Sequence, residues 1–391
     1  MLEPLGQSQV VAYLEKLAPG RRIHLISFEK PDDWGDEPRR QAMRERLERA
    51  GICWHPLRYH KKFSALATAY DIVRGAEMAV HLVKRQGLGI VHARSYVAAF
   101  IALIVKDALR TAFLFDMRGL WADERVDGGL WRAGGRLYRV AKKMERKFLL
   151  AADHVVTLTH ASEAEIRRFD YLAERMPPIS VIPTCADLDR FAIQGPPVRE
   201  PFTLGYIGGV GTWYLLDEML ACFRLLKAAE PGARLLFINR HEHAMIRARA
   251  GAAGIGPESI EIIAADHRDM PAQVARMSAG MALIKPAYSK IASAPTKLAE
   301  YLGCGVPCLG NAGVGDVADI LEGRKVGVAL QGFSAGELAD GVRRLIELAR
   351  DPATQARCRQ AAIDLFSLET GVEAYDAIYA GLKAERAVTG E

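Results

Sequence analysis

No apolar run in this sequence is long: the longest, Val97 to Val105, stops at Lys106 and Asp107, far short of the roughly 18 to 20 residues that cross a bilayer. Cysteine is scarce and dispersed. The six thiols, Cys53, Cys185, Cys222, Cys304, Cys308 and Cys358, sit in apolar or helical-looking segments, which fits reduced thiols rather than a disulfide framework. Only Cys304 and Cys308 are near neighbours, and no His or Cys beside them completes a metal-ligand set. A strong charge bias is missing too. The 52 Lys and Arg against 47 Asp and Glu leave a net charge of +5 over 391 residues, too slight a surplus to mark a nucleic-acid binder. Met1 to Leu17 has no charged stretch followed by an apolar core, so it is read as no signal peptide and the protein is expected in the cytoplasm.

What is present is an ordinary globular composition, half apolar and a quarter charged, with material for two or three domains. Short aliphatic or β-branched runs alternate with segments of helical period, the pattern of strands and crossover helices in parallel sheets. Strands are expected at 23–28, 89–92, 112–116, 154–158 and 179–183, with an amphipathic helix over 65–86. The stretch Gln194 to Pro201 then packs three prolines and a glycine into eight residues, as a linker would. Further strands are expected at 203–208, 233–239, 260–264, 281–284, 307–310 and 327–329. The fold class is therefore α/β, with doubly wound parallel-sheet domains at 1–194 and 202–365 and a final helical segment at 366–391. That segment carries Val372, Tyr375, Ile378, Tyr379 and Leu382 on one face. Ligands of such sheets bind beyond the carboxyl ends of the strands, so two domains imply a cleft lined by both. A doubly wound domain normally opens with a strand, yet the loop-like Glu3 to Ser8 follows Met1 directly. Either an upstream segment or another part of the chain has to fill that place.

The most informative stretch is Ser293 to Pro307, SAPTKLAEYLGCGVP. Pro295 and Thr296 read as a helix start, Glu300 lies one turn after Thr296, and Gly303 and Gly305 end the helix. The free amides around Thr296, Lys297 and Leu298, with the positive end of the helix dipole, can hold a diphosphate. Glu300 could accept hydrogen bonds from ribose hydroxyls. Lys297 and Glu300 also fit a pair on a helix surface.

This stretch resembles the signature helix of family 4 retaining glycosyltransferases of the GT-B fold, in the bacterial variant that reads Ser-Pro-Thr-Lys before the Glu and ends Cys-Gly-Val-Pro. Ala294 stands where that Ser would be. Gly6 to Gln9, Ile182 to Phe191 and Tyr206 to Trp213 are similar to the family in the same order, so the resemblance spans nearly the whole chain. It implies two facing Rossmann-like domains with an interdomain cleft and a C-terminal crossover helix. The donor, a nucleotide-diphosphate sugar and foremost a UDP-sugar, would lie on the second domain. Its sugar would pass with retention to a hydroxyl of a glycan or glycolipid, with no metal or other cofactor. Two departures stand out. The family's second Glu, eight residues before Glu300, is Ala292, and its Arg and Lys after the second-domain strand give way to Gly209 and to Gly211-Thr-Trp-Tyr214.

The candidate residues follow from both lines. On the donor side are Gly6 and Gln7 at the first loop, and Gly209, Gly211 and Thr212, where glycines let backbone amides approach a phosphate. Arg240, Lys290 or Lys297 could supply the phosphate's counter-charge, and the resemblance puts His267 beside the nucleobase. Trp213 and Tyr214 either cover a sugar or pack under the next helix. In the first domain the strand at 112–116 runs into Asp116-Met-Arg-Gly-Leu-Trp-Ala-Asp-Glu-Arg125, a polar cluster that is costly to assemble for packing alone. Arg118 occupies the place of a family His near the reacting sugar and is the catalytic candidate together with Asp116. Asp123, Glu124 and Arg94 are assigned to the acceptor side. An internal ion-pair network is the competing reading of the same residues.

Positive charge concentrates over 132–147. Arg132, Arg136, Arg139, Lys143 and Arg146 recur at helical spacing, opposite an expected stripe of Leu137, Val140, Ala141, Met144 and Phe148. Such a helix attracts an anionic membrane or a lipid-linked acceptor, or is simply a solvated face over a packed stripe. Two rival functions remain open: a nucleotide-sugar epimerase, disfavoured by Ala292 and the few carboxylates near Thr296, and a non-catalytic sugar-nucleotide or glycan-binding protein.

Overall fold

The computed structural model describes residues 1–60, 64–193, 195–197, 200–266 and 268–389. Twelve strands form among them: β1 Ile23–Glu29, β2 Ile52–Arg58, β3 Ile90–Arg94, β4 Ala112–Asp116, β5 His154–Thr157, β6 Ile179–Val181, β7 Thr203–Ile207, β8 Arg234–Ile238, β9 Ile260–Ile263, β10 Ala279–Ala282, β11 Cys308–Asn311 and β12 Gly327–Leu330. Every paired strand runs parallel to its neighbour. The α/β class with Rossmann-like parallel sheets is thus the observed fold.

The second domain holds one six-stranded sheet in the order β12-β11-β10-β7-β8-β9. Every residue of β10, β11 and β12 is buried, as apolar runs covered by helices on both faces must be. The first domain differs. Its strands divide into the pair β1-β2 and the sheet β3-β4-β5-β6. The usual doubly wound order would set one further strand between β1 and β3, and among the described residues none pairs there. Accordingly β3 is mostly half-buried while its neighbour β4, Ala-Phe-Leu-Phe-Asp, is buried throughout.

The expected loop at Glu3 to Ser8 is instead helical: Pro4–Gly6, a π-helical turn Gln7–Val11 and the helix Ala12–Leu17 follow without a break. Leu2 and Val11 are buried with Met43, Leu47, Ile52 and Trp54 in one apolar cluster, so burial overrides the turn-forming character of Pro4, Gly6 and Ser8. The Met1 ammonium donates to Glu29 Oε1 at 2.7 Å.

The chain returns to its first half at the end. Leu368 N donates to Ala186 O at 3.1 Å, and the helix Leu368–Thr389 buries Leu368, Tyr375, Ile378 and Leu382 against Tyr13, Leu17, Leu114, Val156 and Ile182. Each such apolar side chain is worth about 1.5–3 kcal/mol relative to exposure. The domains also meet directly. Thr159 and Thr184 donate to the carbonyls of Ile291 and Ala294, each at 2.6 Å. Asp316 accepts from His160 N and Ala161 N at the start of the helix His160–Ile166, where a carboxylate also suits the helix dipole. Among the described residues no helix is long and apolar enough to cross a membrane.

Candidate functional site

At the C-terminal end of β7 the chain turns at Gly208 with a φ of 116°, a backbone conformation that favours glycine. Gly209, Gly211 and Thr212 follow, all exposed. Two side chains that sequence reasoning missed hold this loop. Asn239, at the end of β8, donates through Nδ2 to Gly208 O at 3.0 Å and to Glu242 Oε2 at 2.6 Å, and that same carboxylate oxygen accepts from Val210 N at 2.9 Å. The signal was present: Asn239 ends an otherwise apolar strand and Glu242 opens the next helix region. Neither carries a motif that names a ligand.

Facing the loop is Lys297, in the first turn of the helix Thr296–Gly303. It is only 8% exposed. Its Nζ lies 4.0 Å from the ring centres of both Tyr206 and Tyr214 and has no hydrogen-bond acceptor among the described residues. Burial lowers its pKa to about 7, against the opposing pull of Cys308 and Glu300. Glu300 is likewise buried, and burial raises its pKa to about 7 while Lys297 and Arg190 act the other way. The reading of these two as a surface pair is therefore corrected. An ammonium taken from water costs several kcal/mol unless compensated, and two aromatic faces compensate it only in part. The Lys297 amine is thus buried beside Gly208 with its charge only partly compensated. Leu298 also needs correction: its side chain belongs to the apolar core and its amide already donates to Pro295 O at 3.0 Å.

The first domain's polar cluster is organised inward. Asp116 is fully buried at the end of β4. Its Oδ2 accepts from Arg94 at 2.9 Å and from the Tyr375 hydroxyl at 3.0 Å, and Arg118 Nη1 stands 3.7 Å from Oδ1. Burial pushes this carboxyl up, but Arg118 and Arg94 outweigh it and hold it well below the usual carboxylate range. Arg118 adopts a φ of 59°, which costs a non-glycine residue about 1–3 kcal/mol. Asp116 thus lies buried between the two arginines and Tyr375, and the ion-pair network is the observed arrangement.

Asp123, expected on the acceptor side, is turned inward and accepts from Tyr138 Oη at 2.9 Å and Lys142 Nζ at 3.0 Å. Glu124 does face the second domain, but it accepts from Lys290 Nζ at 2.8 Å. Lys290 lies 3.7 Å over the Trp213 ring, so it is a bridge between domains rather than a free cation. Gly6 and Gln7 are engaged within the N-terminal turn, where Gln7 donates to Leu2 O at 3.0 Å and a side chain at Gly6 would meet the Met1 backbone. Arg240 is exposed on the second-domain rim. His267 lies outside the described residues.

Residues 8–185 match a family model described as a glycosyl transferase 4-like domain. No curated protein matches the sequence. Among solved structures the chain is similar to sucrose-phosphate synthase from Thermosynechococcus elongatus, at 16% identity and a TM-score of 0.71 over 96% of this chain and 92% of that one. It is also similar to a glycosyltransferase from Rickettsia africae, at 15% identity and a TM-score of 0.70 over 97% and 96% of the two chains. The Anabaena protein HepE in complex with UDP and glucose aligns at 14% identity and a TM-score of 0.68, covering 97% of each chain. The two-domain architecture is thus the GT-B fold.

Proposed function

We propose that this protein is a glycosyltransferase that binds a nucleotide-diphosphate sugar on its second domain and passes the sugar to a hydroxyl of a glycan or glycolipid. The single observation that carries the reading is Lys297, a buried ammonium with no acceptor among the described residues, set against the glycine loop at 208–211. A diphosphate supplies the missing counter-charge, and the loop amides and the start of the helix Thr296–Gly303 add donors around it. The match of residues 8–185 to a glycosyl transferase 4-like domain supports sugar transfer. The complex of HepE with UDP and glucose supports uridine as the base.

In this reading the bond between the anomeric carbon and the phosphate oxygen breaks, and the acceptor oxygen bonds to that carbon on the same face. The acceptor proton goes to the departing diphosphate. Lys297 stabilises the charge that collects on the leaving group, so the step is proposed to run without a metal. Glu300 orders the nucleotide's ribose, and Arg118, held by Asp116, approaches the sugar side. Calorimetric titration of UDP, GDP and ADP, with and without divalent metal, tests this. One nucleotide is expected to bind without metal, at least about tenfold more weakly in Lys297→Met and Glu300→Ala, about 1.4 kcal/mol. Absence of nucleotide binding to folded wild-type protein would sink the proposal, and acceptor-dependent release of the nucleotide separates a transferase from an epimerase or a binding protein.

A further inference from the structure

Exposed arginines on this molecule's other helices are commonly matched by carboxylates a turn away: Arg343 sits between Asp340 and Glu347, Arg167 pairs with Glu163, and Arg74 with Glu77. The helix Arg136–Ala151 and the loop before it break that habit. Arg132, Arg136, Arg139, Lys143 and Lys147 are all exposed, and among the described residues none of the five has a side-chain hydrogen bond or ion pair. The helix's single acid, Glu145, is buried and bonded to Tyr96 and Lys142. With Arg146, which is also exposed and lies over the Tyr171 ring, this face carries six cations and, among the described residues of the helix, no exposed carboxylate.

The apolar side chains on it are equally out of place. Leu137 and Val140 were expected in the packed stripe, but each is 60% exposed, and Leu130 in the preceding loop is 65% exposed. The stripe that packs is rotated: Tyr138, Ala141, Lys142, Glu145, Phe148 and Leu149 turn inward, and Tyr138 and Lys142 bond to Asp123. Leu137 and Val140 are left standing among Arg136, Arg139 and Lys143. Cations alone would serve a nucleic acid or an acidic protein. Large aliphatic side chains interleaved with them meet both layers of an anionic bilayer, with the headgroup phosphates taking the arginines and the acyl boundary taking the leucines.

We infer that the exposed face of 130–147, with Leu130, Leu137 and Val140 as its apolar anchors, docks on an anionic lipid surface. The inference is independent of the donor site. It also has a geometric consequence, because Tyr138 and Lys142 of this helix touch Asp123 on the helix Trp121–Asp127, whose Glu124 and Asp127 bond to Lys290 and Ser289 of the second domain. Docking brings the rim of the cleft to the membrane, where a lipid-linked acceptor would be presented.

The test is co-sedimentation of the full chain with vesicles of phosphatidylcholine alone or with about 30% phosphatidylglycerol. Wild type is expected to bind only the anionic vesicles. Reversing two charges in Arg136→Glu/Arg139→Glu should lower the partition coefficient at least about tenfold. Leu137→Ser/Val140→Ser should lower it by less and leave a residue that high salt displaces completely. Unchanged thermal midpoints keep unfolding out of the reading, since all four side chains are exposed. Equal binding to both vesicle types, or no effect of the charge reversal, overturns the inference. Serine variants that bind as well as wild type at high salt overturn the anchoring role. Tighter binding of a single-stranded oligonucleotide than of anionic vesicles, lost in the same charge reversal, assigns the face to nucleic acid instead.

Discussion

In the second domain Lys297 is buried with two tyrosine rings beneath its ammonium and, among the described residues, no acceptor, whereas in the first domain the fully buried Asp116 is ringed by Arg94, Arg118 and Tyr375. The sheets differ in the same sense. One domain has six strands in a continuous sheet that presents an incomplete polar site at its strand ends. The other has a sheet divided into two and four strands, and its Asp116 accepts from Arg94 and Tyr375 through Oδ2 and has Arg118 3.7 Å from Oδ1, which makes no hydrogen bond among the described residues. Buried polar groups find partners in nearly all folded proteins, because leaving one unmatched costs about 1–3 kcal/mol and more for a charge. The contrast supports the proposal made above, in which the second domain recognises an anion through Lys297 and the first holds Arg94 and Arg118 over Asp116.

The largest effect should come from breaking the matched site. Asp116→Ala leaves two half-buried arginines facing each other without their buried carboxylate, and loss of one partner from a buried ionic network costs about 3–5 kcal/mol. Lys297→Met removes a buried charge and keeps an unbranched apolar stem, so it should leave stability unchanged or raise it while abolishing nucleotide affinity. Denaturant unfolding of both variants checks the contrast. Equal stability of Asp116→Ala and wild type would mean that the first-domain network is not framework, and the distinction between the domains would fail.

A smaller effect follows from pH. Lys297 has a folded-state pKa lowered to about 7, against about 10.4 in an unfolded chain. Only the ammonium form attracts a diphosphate, so nucleotide affinity should fall as pH rises above 7, by up to about tenfold per unit, or 1.4 kcal/mol. The unliganded protein should respond in the opposite sense. Between pH 7 and the unfolded pKa the unfolded chain holds a proton that the folded one does not, so this group makes stability rise with pH. Glu300, raised to about 7, stabilises fully below its unfolded value and loses that contribution as pH climbs to about 7. Calorimetry from pH 6.5 to 9 should give a falling affinity in wild type and a flat one in Lys297→Arg; a flat wild-type profile would remove Lys297 from the anion site.

Much of this arrangement was legible in the residues, and the failures have physical causes. The aliphatic strands and the Lys297 to Glu300 turn stood out because buried parallel strands and helix starts have compositional signatures. β2 escaped because Ile-Cys-Trp-His-Pro-Leu-Arg carries a proline, which a strand tolerates only at an edge. Here it is the outer member of a two-stranded pair, with Pro56 opposite Ser27. On the helix Arg136–Ala151 the expected Ala141, Met144 and Phe148 do pack, but Leu137 and Val140 do not, because the packed stripe is rotated to include Tyr138, Lys142 and Glu145. Their burial depends on Asp123 and Tyr96, which are distant in sequence. Spacing shows that a helix has faces, but only its neighbours decide which one is covered. For the same reason the sequence could list Asp116, Arg118 and Arg94 together without showing that the carboxylate lies beneath the two arginines.

The smallest expected effect concerns how far the final helix contributes to that framework. Tyr375 donates to Asp116 Oδ2 at 3.0 Å while its ring meets Tyr13 edge-on at 5.8 Å between centres. Tyr375→Phe removes the hydroxyl and keeps the ring, and because Arg94 still donates to the same oxygen at 2.9 Å, the carboxylate remains partnered. The cost should be that of one hydrogen bond to a charged group, about 1.5–3 kcal/mol at most and below that of Asp116→Ala. Combining the two substitutions measures how far the hydroxyl's contribution depends on the carboxylate. If Tyr375→Phe adds nothing once Asp116 is Ala, the hydroxyl acts only through the carboxylate, and the final helix is part of the charge framework that holds Arg94 and Arg118. If the two losses add in full, the hydroxyl contributes independently of the carboxylate, and the final helix is not coupled to the charge network that holds Arg94 and Arg118.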